Sequence, residues 1–290
     1  MKASRGERIF YRVNDILLFL VGLSCLFPIL HILSLSVSGQ KAIASGKVGI
    51  WPVDLNLESY SLLLKGTPVV NGFKNSVIIT VVGVALSMIM TILAAYPLSK
   101  EYMYGRKLFT KIVVFTMLFG GGLIPSYLVI QSMGLVNSYN ALWLPGLIST
   151  YNMLVMKTFF QNIPHELEEA ARIDGCSEWR LIVQIYLPLS MPCIATLSLF
   201  YGVSYWNAFK NVLIYINDTK KYNLSVLIQQ MIKSQTLLDP NYIQVEDIEQ
   251  MTSEGVSSAG IMVMVIPMMI VYPFLQKYFV KGVMLGSVKG

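Results

Sequence analysis

Long stretches without charged residues constrain this chain more than any other feature of its sequence. The stretches 16–40, 75–99, 112–156, 181–209 and 255–276 contain no Asp, Glu, Lys or Arg. A helix needs about 20 mostly apolar residues to cross the hydrocarbon core of a bilayer. Each stretch is long enough for one crossing, and the third is too long for only one. The pattern therefore predicts an all-α integral membrane protein.

The longest uncharged stretch divides into two helices. Residues 131–140 (QSMGLVNSYN) combine Gly, Asn and Ser, which are typical of a turn. The first apolar stretch is longer than the roughly 7–15 residues of a signal peptide and lacks a small-x-small cleavage site, which predicts a retained helix. The six predicted transmembrane helices lie near 16–37, 75–99, 110–131, 140–161, 181–206 and 259–280.

The composition excludes most other classes of protein. Charged residues make up 13% of the chain, against about 25% in an ordinary soluble domain. The three cysteines, Cys25, Cys176 and Cys193, have no paired spacing, which argues against a disulfide framework and against a zinc site. His31 and His165 are the only histidines, so there is little material for metal binding or acid–base catalysis. We expect no metal site and no catalytic residues.

The distribution of basic residues predicts the orientation in the membrane. With both termini in the cytoplasm, most of the 22 Lys and Arg residues fall on the cytoplasmic side. Topology then explains the net charge of +6, and nucleic acid is not an expected partner. The predicted organisation is a cytoplasmic N-terminus (1–15), a six-helix domain (16–280) and a cytoplasmic tail (281–290), with long outer segments at 39–72 and 207–258.

The predicted cytoplasmic loop after the fourth helix, 162–192, has the pattern of a short helix followed by a bend. Asn162 is a good helix cap, and Pro164 suits a first helical turn. The glutamates that follow are favoured near the positive end of a helix. Gly175 suits a left-handed turn at the end of the helix.

A second helix is predicted to follow this bend and to enter the membrane. Ser177 is placed to cap it, and the span begins at Leu181. Pro188 and Pro192 are expected to break it. By itself, this loop pattern is more typical of an amphipathic interfacial helix that only seats the bundle.

The spacing within the loop carries a family resemblance. Glu169-Ala170-Ala171, then Gly175, then the pattern I-x-L-P at 185–188 resembles the EAA loop of ATP-binding cassette (ABC) importer permeases. The resemblance implies the type I importer permease fold, with 162–188 as a coupling loop that docks on a separate ATPase subunit. The residues assigned to coupling are Glu169, Ala170, Ala171, Asp174, Gly175, Ile185, Leu187 and Pro188.

Other segments resemble the maltose-type carbohydrate group of this family, and in particular the shorter permease of each pair. They are 95–100 (AYPLSK), 159–164 (FFQNIP), 206–209 (WNAF) and the tail 281–290. Within the group, the likeness is strongest to permeases encoded with uptake systems for complex polysaccharides and uronate oligosaccharides. The resemblance implies import of a carbohydrate, and in particular of an oligosaccharide that can contain uronates, across the bacterial plasma membrane.

The same resemblance implies the partners. They are a second permease subunit, two copies of an ATPase, an extracellular solute-binding protein, the oligosaccharide and membrane lipid. No GxxxxGK[ST] phosphate loop occurs in the sequence, so ATP and Mg²⁺ are expected on the ATPase, with no cofactor on this chain and no enzymatic activity of its own. The glycine triplet 120–122 is interpreted as a site of close helix packing or of a helix break.

Two alternatives remain beside the carbohydrate importer. An importer permease for a non-sugar solute shares the EAA loop, and only the flanking segments favour sugars. A self-sufficient secondary transporter usually needs charged residues near the middle of its spans, and none of the predicted spans has one well inside. A membrane-embedded enzyme lacks any nucleophile–base or metal-ligand cluster.

Six residues combine hydrogen-bonding groups with aromatic faces, the two features by which proteins bind sugars. The alternative interpretation is an interfacial aromatic belt and asparagines that bond neighbouring helices. The candidate substrate-pathway residues are Tyr151, Asn152, Tyr201, Tyr205, Trp206 and Asn207.

Overall fold

The computed structural model describes residues 5–234 and 253–287, and within these ranges every regular element is helical. The first half of the chain forms α1 (Arg5–Ser36), α2 (Gln40–Ala44), α3 (Glu58–Gly66), α4 (Val69–Ser99), α5 (Arg106–Leu118), α6 (Leu123–Ser132) and α7 (Asn140–Trp143). The second half forms α8 (Thr150–Gln161), α9 (His165–Ile173), α10 (Glu178–Leu189), α11 (Met191–Trp206), α12 (Phe209–Tyr215), α13 (Leu224–Ser234) and α14 (Ser253–Ser287). Short 3-10 turns lie at Leu144–Gly146 and Thr219–Lys221.

Three helices of the described chain are long and apolar enough to cross a membrane. They are α1 from Gly6 onward, α4, and the part of α14 that runs to Phe274. Two bent pairs, α5 with α6 and α10 with α11, raise the number to five if each pair is one span. The all-helical membrane fold is confirmed for these residues, whereas the count of six spans stays a prediction.

The third predicted span, 110–131, is not one straight helix. α5 ends at Leu118, α6 begins at Leu123, and the two helices differ in direction by 114°. Gly122 has a φ of +83°, a conformation that side chains with a Cβ rarely adopt. A Cβ at Gly120 or Gly121 would meet no atom within 4 Å. Of the two interpretations of the triplet, the helix break is therefore correct.

The predicted fourth helix, 140–161, is divided into three pieces. α7 ends at Trp143, a 3-10 turn containing Pro145 follows, and α8 begins after Ser149. Ser149 Oγ accepts a hydrogen bond from the backbone N–H of Asn152 at 3.4 Å, so a new cap starts α8. Proline supplies no N–H to continue the preceding helix. With its 12 residues, α8 alone is too short to span a bilayer.

The predicted break in the fifth helix is confirmed. α10 and α11 meet at Ser190 at an angle of 83°, between Pro188 and Pro192. Residues Ile182–Tyr186 of α10 adopt π-helical geometry. The helix therefore begins at Glu178 and changes direction where the prolines interrupt its hydrogen bonds.

Contacts divide the described chain into two compact units. The first unit runs up to Val70 and resumes from Leu227 to Ile266. Within it, the segment after α1 folds back on the end of that helix: Gly39 N–H donates to the Val53 carbonyl at 3.1 Å, and His31 Nδ1 lies 2.9 Å from the Gly49 carbonyl oxygen. The most apolar window of α1 has none of its residues buried.

The second unit runs from Asn71 to Val226 and resumes at Pro267. Its core is formed by side chains of α4, α8, α10 and α11. Tyrosine hydroxyls join these helices: Tyr201 Oη lies 2.7 Å from Thr91 Oγ1. Side chains with at most 2% of their surface exposed include Ile79, Met153, Met156, Phe160, Leu181 and Leu197.

Part of the predicted outer segment 207–258, namely 235–252, lies outside the described residues, as do 288–290 of the predicted tail.

The close approach of α4 and α11 generates a test. A Cβ at Gly83 would lie 2.8 Å from two ring carbons of Tyr205, so Gly83→Ala must displace that ring and its 2.9 Å hydrogen bond to Ser87. We expect a loss of about 1–3 kcal/mol in the free energy of unfolding, measured by thermal unfolding in detergent. Gly202→Ala, whose Cβ would meet only Val84 Cγ2 at 3.8 Å, is the control. Equal effects of the two substitutions would contradict this packing.

Candidate functional site

The predicted cytoplasmic loop contains a short helix, α9. It begins later in the chain than the predicted cap at Asn162 indicates. Asn162 does not cap α9: its N–H donates to the Phe159 carbonyl at 3.1 Å, so Asn162 closes α8 instead. Pro164 stands at the N-cap position of α9, where its missing N–H costs no hydrogen bond. The expected Asn162 cap is therefore corrected to Pro164.

The bend after α9 has the predicted geometry. Gly175 has a φ of +75°, and the N–H of Cys176 donates to the Ala171 carbonyl at 2.9 Å. A Cβ on Gly175 would meet no atom within 4 Å, so the constraint on this residue is conformational and not steric. Ser177 occupies the N-cap position of α10, although its side chain makes no capping hydrogen bond.

A buried ion pair fixes α9 to the end of α4. Lys100 Nζ lies 2.7 Å from Glu168 Oε2, with side chains only 4% and 8% exposed. Lys100 Nζ also donates to the Tyr186 hydroxyl at 2.5 Å, and that hydroxyl donates to Glu168 Oε2 at 2.9 Å. Three chain segments that are distant in sequence therefore meet in one closed set of hydrogen bonds.

Arg172 extends this set of bonds to the start of α10. One turn after Glu168, its guanidinium donates to Glu168 Oε1 at 2.9 Å and lies 2.5 Å from Glu178 Oε1. The other oxygen of Glu178 accepts a 2.5 Å hydrogen bond from the Tyr96 hydroxyl of α4. We call Lys100, Glu168, Arg172, Glu178 and Tyr186 the α9 clamp.

Aromatic rings surround the ammonium group of the clamp. Lys100 Nζ lies 4.4 Å from the ring centroid of Tyr96 and 4.0 Å from that of Tyr186. The two rings meet edge to face at 5.1 Å, and Phe160 packs against both. The cation is thus held by ring faces as well as by a carboxylate.

The protonation states of the clamp follow from its geometry. Burial raises the pKa of Glu168, but hydrogen bonds from Lys100, Tyr186 and Arg172 outweigh it and hold that pKa below its usual value. Burial lowers the pKa of Lys100, and Glu168 opposes this effect. Because the pKa of Glu168 is depressed on folding, its stabilisation is present at neutral pH and is lost only as the pH falls below roughly 4.

The opposite face of α9 makes no such contacts with the described parts of the chain. Glu166, Glu169, Ala170 and Asp174 are exposed, and Ile173 is 86% exposed. One face of α9 is therefore bound to the rest of the chain through Glu168 and Arg172. The other face carries both acidic and apolar side chains and is open to a partner.

The predicted coupling residues divide between these two environments. Ala171 is half-buried and packs against the hydrophobic core, as do Ile185 and Leu187. The other predicted coupling residues, all exposed, are Glu169, Ala170, Asp174, Gly175 and Pro188.

Sequence reasoning did not identify the clamp. The spacing of Glu168 and Arg172, four residues apart on one helix, was an available signal of an ion pair. Lys100 ends the AYPLSK segment, but its partner is 68 residues away and no local pattern indicates it.

A cleft in the second unit brings together four of the six candidate pathway residues: Tyr151, Asn152, Tyr201 and Tyr205. Its volume is about 570 Å³. The other lining residues are Leu142, Pro145, Gly146, Ile148, Ser149, Phe200, Ser204, Ala208 and Asn211.

The other two pathway candidates lie outside this lining. Trp206 is buried and packs edge to face against Phe73, with ring centroids 5.9 Å apart. Asn207 is exposed, and its side-chain amide donates to the Val203 carbonyl at 3.0 Å. These contacts are within the chain and are those expected of structural residues.

Two adjacent glutamates of α9 provide a matched test of the clamp. Glu168→Gln removes the buried partner of Lys100 and leaves an uncompensated charge, which we expect to cost about 3–5 kcal/mol of unfolding free energy. Glu169→Gln changes an exposed side chain and is expected to leave stability unchanged. Thermal unfolding in detergent and proteolysis of the α9 loop measure both effects.

The double variant Lys100→Gln with Glu168→Gln removes both charges and is expected to recover part of the loss. Equal stability of the two single variants would contradict a structural role for the buried ion pair.

Comparison with known proteins agrees with the family resemblance of the sequence. Residues 5–285 match the family described as "Binding-protein-dependent transport system inner membrane component". The polygalacturonan/rhamnogalacturonan transport system permease protein YtcP of Bacillus subtilis (strain 168) is 39% identical over 283 residues, which is 96% of this chain and 99% of YtcP. Protein LplC of the same organism is 40% identical over 290 residues, covering 100% of this chain and 98% of LplC.

A solved structure supports the same assignment. A chain of a bacterial ABC transporter involved in the import of the acidic polysaccharide alginate superposes with a TM-score of 0.88 and 32% identity. The match covers 96% of this chain and 99% of that one. This chain therefore belongs to the family of inner membrane components of binding-protein-dependent transport systems.

Proposed function

We propose that this chain is the permease subunit of an ABC importer for carbohydrates, forming half of the translocation pore. It is a multi-pass membrane transporter subunit and not an enzyme. The named roles of its relatives in polygalacturonan/rhamnogalacturonan transport and in alginate import support an oligosaccharide substrate, with uronate-containing chains as the class to test first.

The chain works with partners in this proposal. A second permease completes the pore, an extracellular solute-binding protein delivers the sugar, and two copies of an ATPase bind ATP and Mg²⁺. The most apolar window of α1, none of whose residues is buried, fits a helix that is covered by lipid or by the second permease.

The proposed topology has six spans and both termini in the cytoplasm. The bent pairs α5–α6 and α10–α11 each count as one span, and α7 with α8 supplies the remaining crossing as a broken helix. Broken helices are tolerated at membrane depth where protein or a water-filled cavity surrounds them. The positive-inside distribution of Lys and Arg supports this orientation.

Cysteine labelling tests the orientation. In a chain with its three native cysteines replaced, Tyr104→Cys is expected to react only from the cytoplasm and Leu55→Cys only from outside. Both native side chains are well exposed, at 98% and 73%, so neither thiol is expected to be masked within the chain. Labelling of both positions from the same side would rule out the topology.

The two faces of α9 support its role as the coupling helix. The clamp holds Glu168 and Arg172 against the end of α4 and the start of α10, so a force applied to α9 reaches both helices through short polar contacts. Glu169 and Ala170 on the open face are the proposed contacts with the ATPase. The clamped helix with an open acidic face is the single observation that carries this proposal.

Inverting the charge of Glu169 tests the coupling. Glu169→Lys is expected to disrupt a desolvated charge pair with the ATPase at a cost of about 2–5 kcal/mol. The ATPase should be lost on purification, or ATP hydrolysis should no longer drive uptake in proteoliposomes. The fold should be preserved, because the side chain is exposed and lies outside the clamp.

Glu58→Lys reverses the charge of an exposed side chain in α3; it is the matched control and should change neither measurement.

Gly175→Leu should also impair coupling, because φ +75° costs a side-chain-bearing residue roughly 1–2 kcal/mol. Ala171→Trp is a poorer probe, since Ala171 packs against the core. Wild-type uptake and ATPase binding by Glu169→Lys would overturn the coupling assignment, and sugar uptake without any ATPase would overturn the importer itself.

A further inference from the structure

The cleft contains one buried polar side chain that the chain itself does not satisfy. Asn152 is 4% exposed and lines the cleft. Its backbone N–H donates to Ser149 Oγ, but its side-chain amide has no hydrogen-bond partner among the described residues. The amide group therefore opens onto the cleft and is available to hydrogen-bond whatever occupies it.

The tyrosines of the cleft are in the opposite situation. The Tyr201 hydroxyl pairs with Thr91 Oγ1 at 2.7 Å and accepts from the Ser149 N–H at 2.9 Å. The Tyr205 hydroxyl pairs with Ser87 Oγ at 2.9 Å. These hydroxyls hold the walls of the cleft together and are not available to a ligand in the way that Asn152 is.

The nature of the lining restricts the ligand. No side chain that lines the cleft carries a charge. Beside Asn152 the lining offers Ser204 and Asn211, whose side chains also have no hydrogen-bond partner in the described parts of the chain. An amide presents both a donor and an acceptor, which matches neighbouring hydroxyls, whereas a carboxylate only accepts and leaves the amide oxygen unpaired.

Two aromatic rings complete the lining. Tyr151 is 54% exposed and Phe200 is 38% exposed. Their centroids lie 6.4 Å apart with the ring planes tilted by 40°, so the pair forms an open, angled apolar wall. The apolar face of a pyranose ring stacks on such a surface while its hydroxyls reach polar groups at the edge.

The helix end beside the cleft is capped by Ser149. Ser149 accepts the N–H of Asn152 with its side chain and the N–H of Met153 with its carbonyl, at 2.9 Å for the latter. The Ser149 N–H is itself bonded to the Tyr201 hydroxyl. The N–H groups of Ser149 and Asn152 are therefore both bonded within the chain.

We propose that this cleft is a sugar subsite that binds the uncharged, hydroxyl-bearing face of a pyranose ring. Asn152 hydrogen-bonds the hydroxyls, Tyr151 and Phe200 form the stacking surface, and Tyr201 and Tyr205 are wall residues. The proposal rests on the proposed function and deepens it. Even when the oligosaccharide contains uronates, their carboxylates point away from this cleft.

A pair of matched sugars tests the subsite. Complete importer in proteoliposomes is supplied with trigalacturonate or with its carboxyl-reduced, neutral counterpart, α-1,4-galactotriose, and ATP-dependent uptake is measured. Asn152→Ala is expected to slow uptake of both sugars by a similar factor, about tenfold for one lost hydrogen bond. Asn71→Ala, at an exposed asparagine of α4 outside the cleft, is the control and should leave uptake unchanged.

The aromatic surface is tested with a conservative pair. Tyr151→Ala should reduce uptake of both sugars, and Tyr151→Phe should restore it, because stacking needs the ring and not the hydroxyl. Tyr201→Phe should lower thermal stability with little change in uptake per folded complex.

Two outcomes would overturn the subsite while the importer stands. One is wild-type uptake of both sugars by Asn152→Ala. The other is a loss confined to trigalacturonate, which would assign Asn152 to the carboxylate. If the wild-type importer moved neither sugar with ATP, galacturonate oligosaccharides would be ruled out as its substrates and the subsite proposed for them would fail.

Discussion

The buried pair of Lys100 and Glu168 is the interaction on which the position of α9 depends. A helix of nine residues is too short to be stable alone in water, so tertiary contacts must hold it. Two charges removed from water are tolerated only when the geometry is good and further hydrogen bonds satisfy the remaining atoms. Glu168 meets this condition, because Lys100, Arg172 and Tyr186 all donate to its two oxygens.

The same pair decides which face of α9 is left for another protein. Once Glu168 and Arg172 are turned toward the chain, helical periodicity places Glu169 and Ile173 on the open side. Adjacent glutamates therefore have opposite roles, one internal and one external. The family resemblance named Glu169 but did not reveal that its neighbour is the residue that orients it.

The sequence predicted those features that arise from residues close together in the chain, and it did not predict those that depend on residues far apart in the chain. The turn at Gly175 and the break between Pro188 and Pro192 arise from the backbone preferences of single residues, and both were predicted. Hydropathy identified the apolar stretches but did not reveal the 3-10 turn Leu144–Gly146, because such a turn leaves hydropathy almost unchanged.

The long-range contacts were beyond local reasoning for a related reason. The sequence predicts Lys100 to be an ordinary cytoplasmic lysine, because no neighbouring residue indicates that its side chain is buried. The six pathway candidates shared suitable chemistry, and only the structure separates a free amide at Asn152 from the bonded hydroxyls of Tyr201 and Tyr205. Residue type predicts what a side chain can do, whereas its partners determine what remains available.

The clamp and the cleft are built on the two arms of one bent helix pair. Tyr186 on α10 belongs to the clamp, while Tyr201 and Tyr205 on α11 hold the cleft wall against α4 and α8. Ser190 lies at the 83° bend between these arms. Protein interiors are close-packed, so a displacement of one arm is passed to its neighbours rather than absorbed. The bend at Ser190 therefore lies between the clamp and the cleft, and α4 is bonded to both of them.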